Sequence, residues 1–485
     1  MKPEGLQLSG FREELHQFFH YRADAIMDLI DALACNGSAT SPVELSLNSQ
    51  FQRQYGSIYK AVDKFFVSSD PQKAEQEHSE HQQKLMRIVG KQCTEPVQRN
   101  FRLFGLDASG QPRPFSHTLR DRGIHYHPNP APGNKPVMVG HSYSVLTALP
   151  EKKGRTSPPW VIPLLIRRVP TDKKATEVGA AQIADLLKEE ILPFGKDLSV
   201  LVGDSAYSAR GFLAKGVEHK NLVILVRVRG NRTFYRMPEQ DDSPSGKGHP
   251  VWYGTSFDMK APPTWGDPDA TEVVSLTLRN GRVCQVEIEA WHNVLMRGER
   301  DIPMHEHPFT LLRIRVKDSN GKAVFKRPLW LIIIGDRRQE ISLSDAYKAY
   351  RQRYDLEHFF RFGKRRLLMV SCQTPNVERE ENWWEIVGLA YVQLYIGAPL
   401  AQNLPRPWER YLPQVKEGKS EEVQSPSMVQ RDMPRIIQEM GSPSSLPKLR
   451  GKSPGRAKGY SPGKRERFPV VFKGTKSGQK QIRAP

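Results

Sequence analysis

The chain has 485 residues, only 38% of them hydrophobic and 38 of them proline, which suits two to four domains separated by linkers or tails. Its 72 Lys and Arg against 53 Asp and Glu leave a net charge of +19. That excess points to a polyanion, and to nucleic acid ahead of acidic lipid, because no amphipathic anchor stands out. No stretch approaches the ~18–20 apolar residues of a membrane span, and no apolar run at the start resembles a secretory leader. Cys35, Cys93, Cys284 and Cys372 lie far apart without a C-x-x-C pair, so they read as reduced, mostly buried thiols rather than zinc ligands or disulfides. A soluble cytoplasmic protein is the expectation.

In chain order, residues 1–98 read as a helical region. "FREELHQFFHYRADAIMDLIDAL" and "FQRQYGSIYKAVDKFF" carry helical periodicity, and "CNGSATSP" between them is a loop. DNA binding or a scaffold role are both open for it. Residues 99–229 switch to strands: "FRLFGLD", "KPVMVGHSYSVLTAL" and "WVIPLLIRRV" are followed by the amphipathic helix "TEVGAAQIADLLKEEIL". Strand "LSVLVGD", short helix "SARGFLAKGV" and strand "NLVILVRV" complete an α/β order with a mixed sheet. Residues 230–328 form a β-rich insertion that includes the hairpin "EVVSLTLRNGRVCQVEIEAW" with its Asn-Gly turn. Residues 329–404 return to the sheet through "PLWLIIIG" and continue into a helix. Residues 405–485 are a Pro-, Gly-, Lys- and Arg-rich tail. From Leu446 onward it holds 12 cations and one acid, a composition that predicts a disordered segment attracting phosphates.

Two aspartates close apolar strands, Asp107 after "FRLFGL" and Asp204 after "LSVLVG", where α/β sheets gather their active sites. A third acid, Glu357, lies in the helix "AYRQRYDLEHFFRFGKRRL" that begins at Ala349. On ideal geometry Tyr350, Arg353, Glu357 and Lys364 share a stripe about 60° wide, flanking the apolar seam of Leu356, Phe360 and Leu367. Each acid also has a plain structural reading: Asp204 could cap the following helix, and Glu357 could pair with Arg353 or Arg361. Taken together, three carboxylates on these elements suit hard, oxygen-seeking Mg²⁺, or Mn²⁺ as its substitute. Two such ions can activate a water and steady the leaving oxygen of a phosphodiester. Asp107, Asp204 and Glu357 are therefore the expected catalytic, metal-binding triad.

The spacing Y-x-x-R-x-x-x-E-x-x-x-x-x-x-K, met by Tyr350, Arg353, Glu357 and Lys364, resembles the signature of DDE transposases from bacterial insertion sequences. "GDSAY", with Tyr207 three residues after Asp204, resembles their second acidic motif. The first motif departs from the pattern: relatives often show Asp-Asp-Thr or Asp-x-Thr, whereas this chain has "LDASG", with Asp121 of "LRDRG" as the backup. The resemblance covers roughly residues 100–400. It implies an RNase H-like core, often interrupted by a β insertion, and a two-metal reaction that cuts element ends and joins them to target DNA. It also implies DNA-binding roles for Tyr350, Arg353 and Lys364 at phosphates near the cut, and a homodimer holding two ends. An insertion aromatic such as Trp291 could stack on a flipped base, although a tryptophan in a hairpin more often belongs to a core. A non-catalytic DNA-binding repressor and an RNase H-like nuclease are the alternatives.

Overall fold

The computed structural model describes residues 3–70, 72–131, 135–152, 154, 157–239, 251–278, 281–404, 424–448 and 455–472. Four helices lead: α1 (Pro3–Phe18), α2 (Ala23–Ala34), α3 (Gly56–Lys64) and α4 (Ala74–Gly90). Then come β1 (Arg102–Pro112), β2 (Gly123–Ala131), β3 (Lys135–Ala148), β4 (Ile162–Val169), α5 (Ala175–Lys188), β5 (Ser199–Gly203), α6 (Arg210–Val217) and β6 (Leu222–Arg227). A small pair, β7 (Thr233–Tyr235) and β8 (Ser256–Asp258), precedes β9 (Ala270–Thr277), β10 (Val283–Val294), β11 (Phe309–Asp318) and β12 (Leu329–Ile334). The chain continues through α7 (Leu343–Gln352), α8 (Tyr354–Arg366), α9 (Val377–Gly397) and α10 (Pro426–Met440).

The main sheet has ten strands in the order β2-β3-β1-β5-β6-β12-β11-β10-β9, with β4 pairing β3. Strands β1, β5 and β6 run parallel, and β3 pairs antiparallel with both β1 and β4. Three antiparallel strands followed by two parallel ones, with helices between, make this an RNase H-like core. Strand β5 is buried along its whole length, which is why "SVLVG" reads as a continuous apolar run rather than an alternation. Apart from the small β7–β8 pair, the described strands of 230–328 join the main sheet. Strand β12 returns antiparallel beside β6, and β11, β10 and β9 add on outward from it, so the insertion prolongs the core sheet.

Strand β2 was not expected, because "GIHYHPNPA" has neither apolar alternation nor freedom from proline. It forms at the sheet's edge, where proline is tolerated, by pairing with the first half of the long β3. The tail also departs from the composition-based expectation. Residues 426–440 fold as α10, whose Val429, Met433, Ile436 and Ile437 are buried at helical spacing, with Pro426 at the first turn. The Asn-Gly turn falls partly outside the described residues, but Gly281 has a φ of 82°, the left-handed conformation such a turn needs.

Helix α9 is the hub of the helical layer. It is apolar nearly all round and meets α1, α2, α3, α10 and β4. Helix α2 is buried over ten of its twelve residues, and inside this layer Arg12 pairs with Asp31 at 2.5 Å. One hydrophobic core runs from Leu8 through the sheet to Ile437.

Candidate active site

Strand β1 brings Asp107 to the site, and one glycine sets how closely α8 can approach it. A Cβ on Gly105 would lie 2.6 Å from a Leu356 methyl, so the bare backbone lets α8 settle onto β1. Residues two apart on a strand share a face, so Gly105 and Asp107 both look toward α8. Glu357, next to Leu356, is thereby carried to Asp107. On the opposite face Gly179 gives α5 the same close approach to Leu106.

Asp204 follows β5 and caps a 3₁₀ turn, its Oδ1 accepting from Ala206 N at 2.8 Å. The capping reading and the site reading therefore hold together: one oxygen serves the turn while the residue lines the cleft. Beneath it Tyr207 is fully buried and packs edge-on against Phe212. Burial, reinforced by Asp107 and Asp204, pushes its phenol well above the usual range.

The expected single helix is two. Arg353 stands at the junction of α7 and α8, where its N–H bonds to Tyr350 O and its carbonyl accepts from Leu356 N, a local tightening to three-residue spacing. The guanidinium lies between the acids: Nη2 donates to Glu357 Oε1 at 2.9 Å and Nη1 to Asp107 Oδ2 at 3.4 Å. Burial alone would lower the arginine's pKa, but Tyr350, Asp107 and Glu357 hold it above its ordinary value.

These side chains line one open cleft: Asp107, Asp204, Arg227, Tyr350, Arg353 and Glu357, with Ser109, Ser205 and Phe360 around them. Lys364 is not among the lining residues. It lies near enough to feel Asp107, which opposes without cancelling the lowering of its pKa by burial. Asp107 is the perturbed acid. Burial lifts its pKa from 3.8 to about 6; Arg353 counters in part, while Asp204 and Glu357 add to the rise.

Other candidates fall elsewhere. Asp121 has a φ of 60° and is held by Arg168 and Thr171, away from the cleft. Burial would raise its pKa, yet those hydrogen bonds keep it below the ordinary value. Trp291 is core: it is 1% exposed, stacks on Trp330 and donates to Gly266 O. His305 stacks on Trp252. Arg227 was missed by sequence reasoning. The register pairs Gly203 with Val226, so the cation that ends β6 adjoins Asp204 at the end of β5. A lone arginine closing an apolar strand beside an acid-terminated one was the available signal.

Among the described residues, no three acidic, histidine or cysteine side chains already enclose a common point. The donors nevertheless fit a divalent cation in kind. Three carboxylates face one cleft, and a positive group sits between two of them. The class defined by fold and cleft is an RNase H-like protein with an acidic centre in a basic chain. The model of the DDE superfamily endonucleases matches residues 14–297, more than half the chain, and the protein belongs to that family. Asp107 and Asp204 lie within the matched segment; Tyr350, Arg353, Glu357 and Lys364 lie beyond it. No curated protein matches the chain. Members of this family act on DNA and generally use divalent metals. No helix among the described residues is long and apolar enough to cross a membrane.

Proposed function

We propose that the protein is a transposase that cuts DNA at element ends to leave a 3′-OH, then joins that hydroxyl to target DNA through the same carboxylates. The observation that carries the reading is the convergence of Asp107, Asp204 and Glu357 on one cleft, with the Arg353 guanidinium between two of them. Two Mg²⁺ ions, or Mn²⁺ in their place, held by these three acids would supply an activated water and stabilise the leaving oxygen. The chain's own part is positioning and charge. Arg353, which now neutralises Asp107 and Glu357, would be placed to hold a phosphate near the cut once a cation met the charge of those acids. Tyr350 and Arg227 line the same cleft and Lys364 lies near Asp107; Arg227, Arg353 and Lys364 would counter backbone charge, and the Tyr350 hydroxyl would donate to a phosphate oxygen. Holding two ends at once calls for a homodimer in the working complex.

The test is cleavage of duplex DNA carrying the element's flanking ends, with Mg²⁺, by the wild type and Glu357→Gln. The substitution keeps size and removes charge, so binding persists while cutting falls by about a thousandfold or more. Undiminished cutting would show that Glu357 is not the third acid. Binding without cutting by the wild type would favour a repressor. The family's description as endonucleases keeps a plain nuclease in view, and transfer of a cut end into a second duplex separates the two.

A further inference from the structure

The basic tail is not free where it nears the sheet. Phe468 N donates to His117 O at 2.8 Å and Val471 N donates to Arg122 O at 2.7 Å. The Arg122 side chain, 1% exposed, donates back to Phe468 O at 3.0 Å. Val471 also forms a parallel bridge with Gly123 at the start of β2. The tail is thus clipped by a single bridge and three hydrogen bonds onto the edge of the sheet beside β2, held by a buried guanidinium.

Leading into this clip are Arg456, Lys458, Lys464, Arg465 and Arg467, all exposed, against the single acid Glu466. None of the five cations makes an ion pair among the described residues. The register places the clip relative to the acids. Pro112 pairs with Gly140, Gly140 with Gly123, and Gly123 with Val471. Asp107 is five residues back along β1, about 17 Å, and three strand spacings add about 14 Å sideways. The two points are therefore about 22 Å apart, or some six base pairs of duplex at ~3.4 Å each.

We propose that the clipped tail is a second DNA-binding surface, tethered at a point about 22 Å from Asp107, which grips the phosphate backbone of the duplex being cut. The inference rests on the DNA-cutting reading above. It differs from a loose basic arm in one respect: the position of the cations matters as well as their number.

The experiment compares three full-length proteins on labelled duplexes of 12 and 40 base pairs of arbitrary sequence, without divalent metal, between 50 and 200 mM salt. One is the wild type. The second is Phe468→Pro with Val471→Pro, which removes both N–H donors and keeps every charge. The third replaces the five cations by Gln and keeps the clip. Thermal melts establish that all three are folded. Four or five phosphate contacts steepen the salt slope by about 4, so on both duplexes the wild type's advantage over the Gln protein grows by about 250-fold as salt falls from 200 to 50 mM. The unclipped protein should match the Gln protein on 12 base pairs, where the cleft and a fixed tail must share one short duplex. It should approach the wild type on 40 base pairs, where a loose arm finds phosphates elsewhere. Wild-type affinity of the unclipped protein for 12 base pairs overturns the proposal. Failure of the wild type to bind either duplex would instead remove the DNA-cutting reading beneath it.

Discussion

Two carboxylates are buried on the same face of this sheet and meet opposite surroundings. Glu380, in the first turn of α9, has a fully buried side chain, yet it accepts from Arg113 Nε at 2.8 Å, His141 Nδ1 at 2.7 Å and the Tyr143 hydroxyl at 3.0 Å. Burial pushes its pKa up, but the bonds from His141 and Arg113 outweigh that and hold it below the ordinary value. Asp107 keeps 22% of its side chain exposed and is the less comfortable of the two. Its partners are one 3.4 Å contact with Arg353 and the next backbone N–H, and two further acids press on it. Depth of burial alone does not decide which way these two carboxylates shift. What separates them is whether the surroundings have already met the charge.

The contrast breaks most visibly at Glu380. Glu380→Ala would leave the Arg113 and His141 groups buried without their acceptor, and should cost about 3–5 kcal/mol in denaturant unfolding. A smaller loss would mean that the network relaxes and that the two acids are less different than they look. Gly105→Ala comes next. The added methyl meets Leu356, so stability should fall by about 1–3 kcal/mol, and cleavage should fall further than that loss explains because α8 carries Glu357. Unchanged activity would show that the cleft tolerates movement of α8.

Asp107→Asn gives the smallest shift and the opposite sign. The folded protein favours neutral Asp107, so its stabilising contribution is complete below about pH 4 and is lost as pH rises through about 6. In chelator at pH 8 the asparagine variant should therefore be more stable than wild type by about 1–2 kcal/mol, with the gap closing by pH 4. Excess Mg²⁺ should reverse the order, since the wild type then gains the free energy of binding. A gap of constant size across that pH range would mean that Asp107 is not the group titrating.

Much of the core was readable because its signals are local. The apolar runs of β4, β5, β6 and β12 carry their own ends. Asp107 does not close its strand as expected, since only the apolar run ends there and β1 continues to Pro112 through small and polar residues paired with β3. Asp204 was found because β5 stops just before it. Strand β2 was not, since its pairing is decided by β3 rather than by its own residues. Helix α10 carried a readable spacing in Val429, Met433, Ile436 and Ile437, but the surrounding Pro and Ser outweighed it. The break at Arg353 escaped because "YRQRYDLE" fits one helix as well as two. The Trp291 ring closes onto residues far away in sequence, Phe257 and Trp330 among them, and no local pattern reports such a contact. Arg227 required the β5–β6 register, which only the assembled sheet supplies.

The single core also bears on how such a protein could change over evolutionary time. Helices α1 to α3 supply one side of a packing whose other side is α9, and α9 belongs to the part of the chain that follows Glu357. A foreign leading segment would arrive without the counterpart it needs, and removing the native one would uncover the apolar face of α9. New preferences for DNA are therefore more readily acquired by altering surface side chains or the tail than by trading whole modules. Deletion series meant to separate recognition from cutting should yield insoluble fragments rather than two working halves.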